Sequence, residues 1–397
     1  MARWQVMILR LAFRNIVNNG WRSLINIVVV AIVLIVMVWM QAMYFSWIRL
    51  AETQQIDWEY GKGMLREKSY DPYDPFTIED ANAPIPPELE VGVADGDLVP
   101  VLLAPASIYP EGRMMSAVVK GIPREQQALM FPSHKLHEGE GGLVPVLIGQ
   151  SMAKSSRLQT GDIFSIRIRD IHGTYDAIDA IVEEVLFIPA PTADVGSIWV
   201  NLDVLREIKG SEDIASYFVI GDAKYQGIKT EDFRYIDKQE YFADLYQMLQ
   251  NERFQQVLMY ALLVFLAMIA IFDTQALAVF KRRREIGTLA ALGFTKAKIA
   301  LIFTLEGTLY TAFGIIATPI LGFPLFWYYG TTGFKIPRGY DDFGVLGFSE
   351  TILFKYPINE ILMVFAIILV FTAIVSWLPT RKIARLNPVD ALRGKVD

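Results

Sequence analysis

The 397-residue chain has no cysteine and three histidines. The first absence removes disulfides, thiolate nucleophiles and Cys-ligated metals. The second leaves His134, His137 and His172 as the only imidazoles for acid–base or metal chemistry. Charge is scarce as well: 20% of residues are charged, and none lies between Ser23 and Ile48. Glycine and proline are missing from Trp21 to Tyr60 and from Ile228 to Ile286, so nothing in the backbone need interrupt a helix there. No GxxxxGK[ST] sequence occurs, which excludes nucleotide binding by that loop. What remains is apolar. At 53% hydrophobic residues the chain is neither disordered nor an ordinary soluble enzyme.

The apolar residues are grouped. Segment 23–48 is uncharged and about 39 Å long as a helix, enough to cross a ~30 Å hydrocarbon core. Its length and lack of a small-residue cleavage site mark an uncleaved span. Three more follow at 254–280, 299–329 and 358–379; Pro319 and Pro324 predict a long, tilted or kinked third span. The segments 1–22, 281–298 and 380–397 together hold fifteen basic residues against three acids, whereas the remaining loops, with Glu360 at the outer edge of the fourth span, hold 22 against 38. The positive-inside rule therefore places both termini and loop 281–298 in the cytoplasm, and 49–253 and 330–357 outside. The lipid bilayer is the implied environment, and nothing implies a nucleic acid.

Segment 49–253 is long enough for a folded domain. Residues 71–87 are Pro- and Asp-rich and read as a surface loop. Strands are predicted at 98–103, 115–120, 144–148, 163–169, 175–187, 198–201 and 217–220, and helices at 151–157 and 202–209. The fold class expected is an α-helical membrane protein with four transmembrane helices plus an α+β extracytoplasmic domain between helices 1 and 2. Helical stalks are expected to flank that domain. Lys238 to Phe280 reads either as one rod of roughly 64 Å or as two helices meeting at the membrane surface.

Candidate chemistry outside the loop is thin. Gly149-Gln-Ser151-Met-Ala153 imitates a nucleophile elbow without its last glycine, and a triad would need one of the three histidines. The Gly139–Gly142 run reads as a turn, and the His134/His137 pair as solvated surface rather than a metal site. No catalytic residue, metal ligand or bound cofactor is expected. Two carboxylates stand at membrane depth: Asp273, eight residues before Lys281, and Glu306, eight after Lys298. Such groups face protein or water. Of ion coupling and structural hydrogen bonding between helices, the absence of an intramembrane Lys or Arg favours the second.

Loop 281–298, KRRREIGTLAALGFTKAK, carries the most specific pattern. Ile286, Leu289, Ala290 and Gly293 recur as the stripe of a short amphipathic helix, which a mere topology loop does not need. ILRLAFRNIVNN, within 1–22, suggests a second amphipathic helix along the inner leaflet or a partner.

FDTQALAVFKRRREIGTLAALGFTKAKI (272–299) resembles the signature of FtsX-like ABC transporter permeases, the MacB/LolC/LolE group. The C-terminal segment 378–393, the LAFRN run 11–15 and the stretch from Gly149 to Asp162 are similar to further parts of that family. The resemblance implies a mechanotransmission half-transporter. Two permease chains, identical or different, would pair above a separate dimeric ATPase that binds ATP and Mg. Loop 281–298 would be the coupling helix, with Arg282, Arg283, Arg284, Glu285, Ile286, Gly287, Leu289, Leu292 and Gly293 at the ATPase. Glu306-Gly307 matches a family pair, while Asp273 stands where asparagine is common. The implied function is lipoprotein release from the bacterial inner membrane, which predicts a wide apolar opening between the first two spans. The alternatives are efflux of small molecules or peptides with a periplasmic adaptor, or regulation of cell-wall hydrolases.

Overall fold

The structure is a computed structural model and describes residues 2–18, 20–139, 141–335 and 351–380. The expected C-terminal segment beyond Thr380, and residues 336–350 of loop 330–357, lie outside the described residues. In chain order the elements are α1 (Ala2–Asn18), α2 (Gly20–Gln55), β1 (Met64–Glu67), β2 (Ala83–Pro84), α3 (Pro87–Ala94), β3 (Leu98–Tyr109), β4 (Met115–Ile122) and β5 (Leu143–Gly149). There follow α4 (Gln150–Ser156), β6 (Ile163–Arg169), β7 (Tyr175–Leu186), α5 (Pro191–Asp194), β8 (Ser197–Asn201), α6 (Leu202–Lys209), β9 (Ile214–Ala215), β10 (Tyr217–Ile220) and β11 (Phe233–Ile236). The chain then turns helical: α7 (Lys238–Tyr241), α8 (Ala243–Lys281), α9 (Arg283–Ala291), α10 (Lys296–Thr331) and α11 (Ile358–Thr380). Two compact units result. One comprises Met1–Trp47, Met248–Phe334 and Ile352–Asp397; the other comprises Ile48–Gln247 and Lys335–Thr351.

Among the described residues, four helices are long and apolar enough to cross a membrane. Between apolar helices in lipid there is no hydrophobic drive, so close packing of small residues must substitute for it. α10 shows how. Gly307, Thr311, Gly314 and Thr318 are buried at helical spacing along one face. A Cβ on Gly314 would fall 2.6 Å from Val30 Cγ1 of α2, and one on Gly307 only 2.2 Å from Ser376 Oγ of α11. Thr311 Oγ1 bonds Thr372 Oγ1 at 3.1 Å, adding a polar link to α11. α10 continues through Pro319 and Pro324. α2 and α8 meet through Val30, Leu34 and Ile271, and further along through Gln41 Oε1, which accepts from Tyr260 OH at 2.8 Å and Gln256 Nε2 at 3.0 Å. An apolar opening between these two helices is thus absent over that stretch. The polar pairs zip it shut.

The second unit is built on a nine-stranded sheet in the order β11-β1-β10-β3-β4-β8-β5-β7-β6. The long β3 pairs β10 near its start and both β4 and β6 further on, so six of the strands close into a ring. Closure removes the free edges that alternating strands would otherwise expose. In β6, Phe164, Ile166 and Ile168 alternate into the ring core, as their spacing predicts. The predicted strands at 98–103, 115–120, 144–148, 163–169, 175–187, 198–201 and 217–220 all form, some longer than expected. β1 and β11, four residues each, were not predicted: strands that short gain their identity from pairing partners.

One rod from Lys238 to Phe280 does not form. α7 ends at Tyr241 and α8 begins at Ala243, because Phe242 leaves helical geometry to bury its ring against Tyr60 and Tyr241. Burial of an aromatic outweighs one lost helical residue. From Ala243 onward the helix is unbroken for 39 residues.

Candidate functional site

The segment that carries the sequence pattern folds as α9, a nine-residue helix between two sharp turns. Arg282 leaves helical geometry at its start, and Gly293 takes φ +87 after its end, with Gly293 N and Phe294 N bonding back to Ala290 O and Leu289 O. A left-handed residue there favours glycine. Thr295 then caps α10 through Lys298 N.

α9 is amphipathic in fact as well as in pattern. Ile286 is buried with Val279, Ile299 and Phe303, and Leu289 and Ala290 pack on that cluster. Gly293 is not part of the stripe; it belongs to the turn and is exposed. Arg284, Glu285, Thr288 and Leu292 face outward, Leu292 with 72% of its surface exposed. The nine residues assigned to the coupling segment thus divide. Ile286, Gly287 and Leu289 anchor the helix, Arg284, Glu285, Leu292 and Gly293 are presented to the surroundings, Arg282 fastens its start, and the side chain of Arg283 lies outside those described.

Arg282 is the hinge pin. Its Nε donates to Glu285 Oε2 at 2.6 Å and its Nη1 to Glu306 Oε2 at 3.0 Å, while its guanidinium stacks 5.1 Å from the Phe303 ring. Glu306, 1% exposed, also accepts from Asn15 Nδ2 of α1 at 3.3 Å and from Tyr310 OH at 3.4 Å. Ser23 Oγ adjoins that phenol at 3.4 Å and donates to Ile16 O at 2.7 Å. One buried carboxylate therefore ties α1, α9 and α10 together. A groove of about 270 Å³ opens beside this knot, lined by Leu11, Asn15, Arg282, Thr288, Ile302 and Phe303 among others. The cation that meets Glu306 is not visible along the chain, because it is at the foot of α8 and 24 residues away. The adjoining Gly307 lets α10, α11 and α8 approach; the fully buried Gln275 amide spans Phe303 O and Gly307 N, each 3.3 Å away.

Asp273 does not join this network. It is exposed on α8 beside Ile269, Phe272 and Leu277, on the side turned from the other helices. The expected structural pair of Asp273 with Glu306 is corrected accordingly: α8 turns the two carboxylates to different faces.

In the second unit, Ser151 is no nucleophile elbow. Its N–H and that of Met152 donate to the Asp194 carboxylate at 3.0 and 3.2 Å, which caps α4 and occupies the donors an oxyanion hole would use. Gly149 makes room for it, since a Cβ there would lie 1.9 Å from Asp194 Oδ1. No group of three or more His, Asp or Glu residues among those described is placed to hold a metal ion.

Residues 257–388 match the family described as FtsX-like permease C-terminal. No curated protein matches the chain. Among solved structures, the extracellular domain of the noncanonic ABC-type transporter YknZ from Gram-positive bacteria is similar to it at 12% identity and a TM-score of 0.25. That match covers 44% of this chain and 98% of that one.

Proposed function

We propose that this chain, whose residues 257–388 match the FtsX-like permease C-terminal family, is the membrane subunit of an ABC transporter, coupled to a separate dimeric ATPase. In this reading α1, α9 and residues 380–397 are cytoplasmic, the second unit is extracytoplasmic, and a second permease chain completes the assembly. This chain performs no chemistry; ATP and Mg bind the ATPase.

The observation that carries the reading is the build of α9. A short helix turns Arg284, Glu285 and Leu292 outward while its other face is fastened by Arg282 to Glu306 inside the next helix. A helix held this way transmits a push. If it only satisfied topology, neither the buried ion pair nor the packed stripe would be needed. ATP-driven closure of the ATPase displaces α9, and the displacement passes into α8 and α10 because closed and open ATPase contact α9 differently.

The substrate proposed is a lipidated or amphipathic molecule taken from the outer face of the membrane, as in lipoprotein release. The closed contact of α2 with α8 at Gln41, Gln256 and Tyr260 favours a second reading, adaptor-linked efflux, in which nothing enters between these helices. Reconstitution with the ATPase tests the common core. Leu292→Asp is expected to insert normally and to abolish substrate-stimulated ATP hydrolysis; undiminished stimulation, or transport without any ATPase, overturns the proposal. Release of a lipoprotein to a soluble acceptor separates the two substrate readings.

A further inference from the structure

The second unit holds an open cleft of about 790 Å³, in the size range of small-ligand sites. One wall is the β11-β1-β10 sheet. Strand alternation sends Leu65 of β1 into the core behind, and turns Met64 and Arg66 to the cleft. Pairing register places Arg66 directly opposite Arg234 on β11 and Tyr217 on β10. Like charges facing each other across antiparallel strands repel. Arg234 is neutralised by Glu240 at 2.7 Å. Arg66 is not. It is 8% exposed, its Nε is buried with no hydrogen-bond partner, and among the described residues no carboxylate pairs with it. Its neighbour is the Tyr70 ring, 5.5 Å away.

The acids of the cleft are already engaged. Glu59 takes Lys120 Nζ at 2.8 Å, Tyr241 OH at 3.0 Å and the Thr192 hydroxyl. Asp71 accepts from Tyr73 N at 3.0 Å, and Asp244 is bonded to the Tyr73 hydroxyl. A buried guanidinium left over from such an arrangement costs stability unless something else pairs with it. A guanidinium suits one partner best, an oxyanion that takes two of its N–H groups. The remaining walls include Ile78, Leu103, Val118 and Val195, which are apolar. At the rim, Gln55 lies seven residues past the end of the first expected span, and Leu245 nine before the second.

We propose that this cleft binds an anionic amphiphile, with Arg66 holding a single phosphodiester or carboxylate group and the apolar walls receiving the start of its tail. Taking that amphiphile for the transported substrate rests on the permease reading above; the binding itself does not. The test uses the full chain in neutral detergent, without ATPase or nucleotide. Its failure leaves the coupling experiment standing, and failure of coupling leaves this one interpretable.

Titration calorimetry compares dioctanoyl phosphatidylglycerol, dioctanoyl phosphatidylcholine and inorganic phosphate. The phosphatidylglycerol is expected to bind at least tenfold more tightly than its zwitterionic counterpart, and Arg66→Gln to remove that difference. Val195→Trp, at an exposed rim position, is expected to weaken binding without touching the fold. Ligand-free Arg66→Gln is expected to melt at a higher temperature than the parent, because a buried charge without a partner goes. Equal binding of the two lipids, or lipid preference surviving Arg66→Gln, overturns the assignment. Inorganic phosphate binding as tightly as the lipid overturns the amphiphile, leaving a free-anion site. A lower melting temperature with unchanged lipid binding makes Arg66 structural, which also overturns it.

Discussion

Removing Arg282 should undock α9, and the absence of cysteine makes this measurable without background. Ile286 is 3% exposed beneath α9, so an Ile286→Cys thiol reacts with a soluble maleimide only when the helix lifts. In Arg282→Ala the Glu306 carboxylate stays buried and keeps only the Asn15 and Tyr310 donors, at 3.3 and 3.4 Å. Breaking a buried pair from one side costs about 3–5 kcal/mol. Because the Arg282 side chain is 19% exposed, we expect the lower end, and about 3 kcal/mol corresponds to a roughly hundredfold faster labelling rate. Glu306→Gln keeps the shape and leaves Arg282 to Glu285, so the loss is about 1–2 kcal/mol and the rate rises about tenfold. Combining the two changes should fall short of the product of the single effects by at least tenfold, since the second has no pair left to break. Rates that multiply, or an Arg282→Ala rate within threefold of the parent, would refute the view that this ion pair fastens the helix.

Two further outcomes follow from the packing and the buried charges. Gly307→Ala should cost about 1–3 kcal/mol, read as a shortened thermal half-life in detergent, because the new methyl meets Ser376 Oγ at 2.2 Å; Ser376→Gly should restore much of it. Lys209, 2% exposed with Nζ on Arg169 O at 3.1 Å, has its pKa pushed down by burial, with nearby acids opposing the shift. The folded state then binds this proton less tightly than the unfolded chain, so its contribution to stability rises with pH between the lowered folded value and about 10.4. Urea unfolding of the full chain between pH 7 and 9.5 should show a positive slope that Lys209→Met reduces; an identical slope in both would remove Lys209 as its source.

The one-dimensional features were legible in the chain before any contact was known. Long charge-free runs and the absence of glycine and proline specify α2 and α8, since apolar length and an uninterrupted backbone are properties of the chain alone. Alternation gave β6, and the basic-then-apolar run of 281–298 gave α9 with its inward Ile286 and Leu289. Glu306 stood out because a carboxylate in an apolar run is costly wherever it ends up. Which cation meets it depends on the packed helices: four consecutive basic residues look alike in sequence, and the turn at Arg282 selects one of them. It also turned Asp273 outward, broke the helix at Phe242 for the sake of an aromatic contact, and set Arg66 opposite Arg234. Each of these depends on the rotation of a helix or the register of a strand, which is fixed by the surface packed against it rather than by the residue's own neighbours in the chain.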